Sequence, residues 1–382
     1  MRRDLFDPEH DEYRRVVRAF LEREVVPHYA DWEAEGIVPR ALFAALGELG
    51  AFGFDAPEEY GGTAVHDLRY TAILAEEAVE AAVYPAIVGP TLQADVVLPY
   101  LLGLGTDEQR HRWLPGVVAG TTVTAVAMTE SGTGSDLAGI RTRAVRDGDE
   151  YVLTGGKTFI TNGVNADLVV VAARTAEDPH RGLSLFVLER GMPGFERGRR
   201  LHKIGLHAQD TAELVFDDVR VPEGNRLGDE GSGFASLTRN LARERLSVAI
   251  AAIAMTRWAI AATREHVRTR QAFGGPLAVL QTVRHRLAEL VTEADLGTLY
   301  VDRCIRAHND GELTPVDAAK AKWWTTELQG RTLDACVQLH GGYGFMHEYP
   351  VARAWADARV SRIYGGATEI MKEIVGRDLL GA

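Results

Sequence analysis

The chemistry of this sequence starts from a carboxylate standing alone on an apolar helix face. Around "NLARERLSVAIAAIAM", helical periodicity puts Leu237, Leu241, Glu244, Val248, Ala251 and Met255 on one stripe that a single charge interrupts. Burying an unpaired carboxylate is costly and raises its pKa, which suits a general base near neutral pH. An ion pair with a neighbouring helix, or with Arg245, explains the same residue equally well.

Four other segments carry groups that suit a flat or phosphorylated ligand. In "AVAMTESGTGSDLAG" (125–139), small residues let backbone N–H groups approach a phosphate or ring edge, and Thr129, Ser131 and Ser135 add hydroxyls; a plain interdomain turn reads the same way. Its "GTGSDL" lacks the third glycine and the strand-to-helix setting of a dinucleotide fingerprint. In "GGKTFITNG" (155–163), period two puts Phe159 and Thr161 on one side of a strand, an aromatic face beside a hydroxyl, as in any half-buried strand. "RTRQAFGG" (268–275) reads as a cationic helix end before two glycines, and "QLHGGYGFMHEYP" (338–350) as a glycine-rich loop approached closely by something. His340 in that loop is expected to be a structural hydrogen bonder. Near the C-terminus, "YGGATEI" (364–370) sets Gly365 and Gly366 where a reactive side chain would be expected.

The elements that position these groups follow from texture. Residues 1–121 show helical spacing, 122–231 short β-rich runs such as "YVLTGG", "DLVVVAAR", "LSLFVLE" and "TAELVFDDVRVP", and 232–382 helical spacing again. The expected fold is therefore mainly α with a central β domain: a helical domain, an antiparallel sheet or barrel, then a four-helix bundle. Ser232 is expected to cap the long helix bearing Glu244, with further helices over 277–309, 315–339 and 350–362.

Composition narrows the function. The 382 residues are 46% hydrophobic and 25% charged, with no apolar run judged long enough for a membrane span and no signal-peptide pattern at the start, so a cytoplasmic protein is expected. A net charge of −12 opposes nucleic-acid binding. Cys304 and Cys336 lack metal-ligand spacing and are expected to be reduced packing residues; no metal site is expected.

Taken together, "AMTESGTGSD", "GGKTFITNG", "LHKIGLHAQDTAEL", "RQAFGG", "QLHGGYGFMHEYP" and "IYGGATEIMKEIVGRDL" resemble the acyl-CoA dehydrogenase family of FAD flavoproteins over nearly the whole chain. The last three, with "ERLSVA", resemble its long-chain branch most. The resemblance implies the three-part fold above, FAD, usually a homotetramer built as a dimer of dimers, and α,β-dehydrogenation of a medium- to long-chain fatty acyl-CoA to the trans-2-enoyl-CoA, with electrons passed to electron-transferring flavoprotein. Many members carry the catalytic Glu where this chain has Gly365. The isovaleryl and long-chain branches carry it where this chain has Glu244. Gly365 would then contribute a backbone N–H to the thioester carbonyl, beside a flavin ribityl hydroxyl.

Carried over residue by residue, Val126, Ala127, Met128, Thr129, Gly134 and Ser135 would cradle the flavin, with Phe159, Ile160 and Thr161 on its other side. Arg270, Phe273, Gln281, Gln338, Leu339, His340, Gly341 and Gly342 would hold the adenosine half of a neighbouring subunit's FAD, and Ala367, Thr368 and Glu369 would complete that site, Ala367 replacing the usual Thr. Ser135, Ala235, Ala242, Arg243, Arg245, Gly365 and Gly366 would meet substrate, the arginines at phosphate or pantetheine. Ala235 and Ser236 stand where long-chain members have bulky aromatic residues, so pocket shape is expected to differ. Two other functions fit the same residues: an acyl carrier protein-linked dehydrogenase or an acyl-CoA oxidase, and a non-catalytic flavin-binding relative. The second predicts loss of the base and a basic surface.

Overall fold

The computed structural model describes residues 3–381, so the basic start Met1-Arg2 and Ala382 lie outside it. Seven α-helices come first: α1 (Pro8–Phe20), α2 (Tyr29–Glu35), α3 (Arg40–Glu48), α4 (Leu68–Glu80), α5 (Tyr84–Leu92), α6 (Leu98–Leu104) and α7 (Asp107–Val118). Thr106 starts α7 with a reciprocal cap: its hydroxyl accepts from the Gln109 N–H, and its own N–H donates to the Gln109 side chain. Between α5 and α6 the chain widens into a π turn, Gln93–Val97, which turns Asp95 inward.

Eight strands follow: β1 (Thr124–Ala127), β2 (Arg143–Asp147), β3 (Glu150–Thr161), β4 (Leu168–Arg174), β5 (Leu183–Glu189), β6 (Phe195–Arg200), β7 (Thr211–Pro222) and β8 (Arg226–Leu227). They form one sheet ordered β6-β7-β3-β2-β4-β5-β8, with β1 paired to β4. Most pairs are antiparallel as expected, but β1 runs parallel to β4, and β2 meets β4 in parallel at Arg143 and Arg174. The sheet is thus mixed. Its first strand lies inside the segment read above as a loop.

The β4 and β5 runs are almost wholly apolar before their terminal Arg174 and Glu189, Ser184 apart, because both faces are covered. Leu168, Val170 and Ala172 pack with Leu98, Leu101, Trp113 and Val117 of the first helices, while Val169, Val171 and Ala173 pack with Tyr151, Phe186 and Phe216 on the other side.

The C-terminal part comprises α8 (Gly233–Thr269), α9 (Gln281–Asn309), α10 (Pro315–His340), α11 (Pro350–Ala358) and α12 (Thr368–Leu380). Three of the expected helices stand, and the fourth is short. The sequence reading missed α12, which packs on α10. Ser232 sits at the start of α8 but does not cap it, because its hydroxyl donates to the Asp229 carbonyl. Two stretches, Tyr84–Leu104 and a window within α8, are long and apolar enough to cross a membrane, contrary to the reading above. Most of each is buried in the fold. Ile250 and Ile253 of α8, for example, pack with Ala72 of α4, Val301 of α9 and Leu328 of α10.

Asn162 ties the helical part to the sheet. Its buried amide donates to the Gly89 carbonyl of α5 (3.1 Å) and the Thr124 carbonyl of β1 (2.9 Å), and its φ of +60° is one that Asn tolerates better than most residues. Asn162→Ala would remove two buried hydrogen bonds and leave an alanine at positive φ, and is expected to destabilise the protein by about 2–4 kcal/mol. The measurement is the urea midpoint of the purified protein, and an unchanged midpoint would show that the amide is dispensable.

Candidate active site

Glu244 lies in the N-terminal half of α8, where Leu241, Glu244 and Val248 are only half-buried although Leu237, Ala251 and Met255 on the same stripe are buried. The stripe therefore enters the core at both ends and opens at Glu244. A Cβ built on Gly365 would stand 3.5 Å from Glu244 Oε1 and 3.7 Å from a Val248 methyl. Helix and turn thus meet at the carboxylate. Gly365 (φ +63°) and Gly366 (φ +97°) both adopt left-handed conformations, which glycine enters without a Cβ penalty. The Gly365 N–H reaches no backbone acceptor among the described residues.

Glu244 makes no ion pair among the described residues, and its Oε2 is buried without a hydrogen-bond partner. The pairing with Arg245 or a neighbouring helix, left open by the sequence, is not made. Arg245 is buried and turns its Nε toward the Gly365 carbonyl at 3.4 Å. Burial pushes the Glu244 carboxyl up, and the charges of Arg245 and Lys322 pull it partly back. Tyr100 is fully buried nearby with its hydroxyl unpartnered, and the Tyr364 phenol is pushed up to about 12 by burial, so both stay neutral.

Arg243 is a correction. Expected at a phosphate or pantetheine, its guanidinium pairs with Asp55 (2.5 Å) and approaches Asp95 (3.5 Å), whose other oxygen accepts from Ser247 (2.5 Å). This buried cluster holds the π turn against α8, one residue before Glu244. Its charge is already neutralised by two carboxylates. Ala242 is half-buried beside it, whereas Ala235 is exposed and Ser236 buried near the start of α8.

Two segments expected at the flavin are tied together by a buried pair. Lys157 Nζ, with no side-chain exposure, donates to the Met128 carbonyl (2.9 Å) and to Glu130 (2.8 Å), which also accepts the N–H groups of Arg141 and Thr142. The Thr158 N–H adds a bond to the Thr129 carbonyl. Burial lowers the Lys157 ammonium to about 8, with Glu130 opposing. Val126 and Ala127 belong to β1, Ala127 with a buried side chain, so of these two any ligand meets chiefly Val126 or backbone.

Gly134 and Ser135 are exposed. Strict alternation in β3 is broken by a bulge between Lys157 and Ile160. Phe159 sits in it at φ +61°, 68% exposed, while Ile160 is buried and Thr161 half-buried. A strained, uncovered aromatic ring flanked by a hydroxyl and an open glycine loop fits a flavin.

The second group converges as well, with exceptions. Arg270, His266, Gln338, Leu339, His340, Gly341, Gly342 and Tyr343 line one open cleft of about 550 Å³. Arg270 lies over the Tyr343 ring (5.5 Å), and a Cβ at Gly341 or Gly342 would meet nothing within 4 Å. That room suits a nucleotide. His340 bonds the Cys336 carbonyl (2.8 Å) and stacks on His266 (4.2 Å), the structural role expected of it. Phe273, 93% exposed, and Gln281 lie outside that lining. Ala367 precedes α12 and Glu369 is exposed in its first turn, but the Thr368 hydroxyl donates to Glu327 and so is not free for a ligand.

Sequence reasoning missed Lys322, buried in α10, whose ammonium donates to the Gly366 carbonyl at 2.7 Å. The signal that exposed Glu244 would have found it: one charge on a stripe otherwise made of Ala318, Thr325, Gln329 and Cys336.

The chain matches the acyl-CoA dehydrogenase N-terminal domain over residues 7–121, the middle domain over 125–219 and the C-terminal domain over 231–380. It is 46% identical to the long-chain specific mitochondrial acyl-CoA dehydrogenase of Sus scrofa, across 99% of this chain and 88% of that protein. An acyl-CoA dehydrogenase from Geobacillus kaustophilus superposes with a TM-score of 0.95 at 49% identity over 98% of both chains. A glutaryl-CoA dehydrogenase from Mycobacterium smegmatis, solved in complex with FADH2, superposes at 0.91 with 27% identity over 99% of this chain and 96% of the other.

Lys157→Met would leave Glu130 buried without its cation, a loss of about 3–5 kcal/mol when such a pair is broken. Part of that loss should appear as FAD affinity reduced tenfold or more, read as FAD content after gel filtration. Full retention in a folded variant would mean that the pair does not position the flavin segments.

Proposed function

From the premise that the chain belongs to the acyl-CoA dehydrogenase family and is an FAD-dependent oxidoreductase, we propose that it dehydrogenates medium- to long-chain fatty acyl-CoA thioesters in the cytoplasm, with Glu244 as base. One observation carries the reading. The carboxylate that a Cβ at Gly365 would meet, at 3.5 Å, is unpaired among the described residues and raised in pKa. The likeness to a long-chain specific relative supports the substrate class, and the two unpaired buried thiols, Cys304 and Cys336, support a reducing compartment.

The substrate's α-carbon is placed between Glu244 and the turn, with its carbonyl oxygen toward the Gly365 N–H. An α-hydrogen beside a thioester is weakly acidic, and a donor fixed before the reaction stabilises the negative charge that develops on that oxygen. Glu244 takes the α-proton into its carboxylate. FAD, when bound, supplies the acceptor for the hydride that leaves the β-carbon, and the product is the trans-2-enoyl thioester. Apolar neighbours of the base, Leu241 and Val248, exclude water from the acyl segment.

Electron-transferring flavoprotein is proposed as the electron acceptor, and a dimer of dimers as the assembly. The exposure of Phe273 (93%) and Phe345 (82%) beside the Arg270 cleft supports a subunit contact there. A panel of short-, medium- and long-chain CoA thioesters, run beside their acyl carrier protein counterparts and followed by flavin bleaching with and without oxygen, tests substrate, carrier and acceptor together. Bleaching by carrier-bound acyl groups alone would overturn the reading.

Glu244→Gln is expected to keep FAD and fold but lose about 100-fold or more in kcat/KM. For the parent enzyme, activity needs the ionised carboxylate, so it falls as pH drops through the Glu244 pKa. Because burial raises that pKa, the acid limb should lie above the free carboxylate value of about 4.3. Turnover of the variant within tenfold of the parent would place the base elsewhere.

Gly365→Glu in the Glu244→Gln background should restore part of the activity, since both positions face the same space. Restoration should be partial, because a misplacement of about 1 Å can cost roughly 100-fold and φ +63° disfavours any residue with a Cβ. With Glu244 retained, the added Glu should reduce activity, because adjacent carboxylates resist joint ionisation. A folded, FAD-loaded double variant no better than Glu244→Gln would show that the positions are not interchangeable.

A further inference from the structure

Lys322 is a buried cation near the base to which the mechanism gives no role. It sits in α10 with no residue exposure, and among the described residues no carboxylate approaches its ammonium within ion-pair distance. Its hydrogen bond runs to the Gly366 carbonyl at 2.7 Å. Burying an ammonium on a single neutral acceptor is expensive, so the fold gains little from this lysine that an apolar residue would not supply.

What the lysine touches is the least self-supporting part of the site. Gly365 and Gly366 have no side chains to lock their left-handed conformations, and glycine loses more freedom on being fixed than any other residue. The turn is held from outside, its Gly366 carbonyl by Lys322 and its Gly365 carbonyl, at longer range, by Arg245. These carbonyls set the peptide planes of the turn, and so the direction of the Gly365 N–H.

We propose that Lys322 is a positioning residue for the dehydrogenation, clamping the two-glycine turn through the Gly366 carbonyl and setting a positive charge near Glu244. This rests on Glu244 being the base. The groups facing Glu244 are Arg245 on its own helix, Lys322 on α10, Tyr100 on α6 and Tyr364 before the turn. Only Arg245 and Lys322 are charged. The groups facing Lys322 are Arg245 and Glu244 of α8, Glu327 of α10 and Glu369 of α12. Burial, then Arg245, lowers the ammonium to about 8 against those three carboxylates, so it carries its charge at neutral pH.

The test uses the FAD-loaded enzyme with Lys322→Met, which removes donor and charge, and Lys322→Gln, which keeps a donor but no charge. Exchange of the α-hydrogens of an acyl-CoA with no β-hydrogen, followed in D2O by mass spectrometry, reads the base without hydride transfer, and kcat/KM on an oxidisable acyl-CoA is measured beside it. Both variants should move the acid limb upward by about one pH unit, because losing a nearby positive charge disfavours the carboxylate. Lys322→Met should also lose about tenfold or more in exchange at its plateau, and Lys322→Gln clearly less.

A purely structural lysine would lower FAD content or melting temperature and leave the limb where it was, and that result overturns the proposal. If Lys322→Met does not fold, an unmoved limb in Lys322→Gln overturns it equally. A parent enzyme that neither exchanges nor oxidises any acyl-CoA overturns the functional reading along with it. Parent activity with unmoved variant limbs overturns only the role of Lys322.

Discussion

A carboxylate without a partner is the constraint around which this structure is arranged. Glu244 sits on a helix of 37 residues whose buried side chains are mostly apolar, and among the described residues no cation comes within ion-pair distance of it. Burial raises its carboxyl, and two cations at longer range, Arg245 and Lys322, offset part of that desolvation. A direct ion pair would stabilise the charge more and would lower its basicity, which defeats proton abstraction. Partial compensation leaves the carboxyl above the ordinary carboxylate range, the direction the proposed base requires.

The surrounding charges follow the opposite rule. Lys157 with Glu130, and Arg243 with Asp55 and Asp95, are buried and close-paired. Each joins segments distant in sequence: the loop after β1 to β3, and the π turn to α8. Breaking such a pair is costly because the remaining charge stays buried, so these pairs fix register and geometry more than they add net stability. Architecture here uses satisfied charges. The proposed chemistry uses unsatisfied groups, Glu244 Oε2 and the Gly365 N–H.

The division also explains what could be read from sequence. Glu244 was legible because a charge on an apolar stripe violates a local pattern, and the glycine-rich segment at 338–350 because glycine marks space that a ligand can use. The order helices, strands, helices was legible from periodicity alone. Arg243 was misassigned, since its partners lie in a π turn and a loop about 150 and 190 residues earlier, and nothing local reports such pairing. The parallel pairing of β1 with β4 and the bulge at Phe159 are long-range properties of the sheet, invisible to alternation within one strand. Helix α12 was hidden because its start was read as part of a binding loop.

On the proposed placement of the base at Glu244, the two glycines follow. A catalytic side chain on a turn needs its backbone fixed tightly, because every torsional error in the loop moves the reacting atom. On α8 the carboxylate is carried by a continuous hydrogen-bonded helix packed against α4, α9 and α10, and the turn is relieved of that task. It still has to present an N–H, and left-handed conformations at two successive residues do this with no Cβ in the substrate's space, at the price of a flexible backbone. Rigidity lost by choosing glycine must be returned from outside the turn. Lys322 on the packed helix α10 is placed to return it, which accounts for a buried ammonium that satisfies one carbonyl and no carboxylate. Moving the base to the helix and clamping the turn from α10 are thus two parts of one solution.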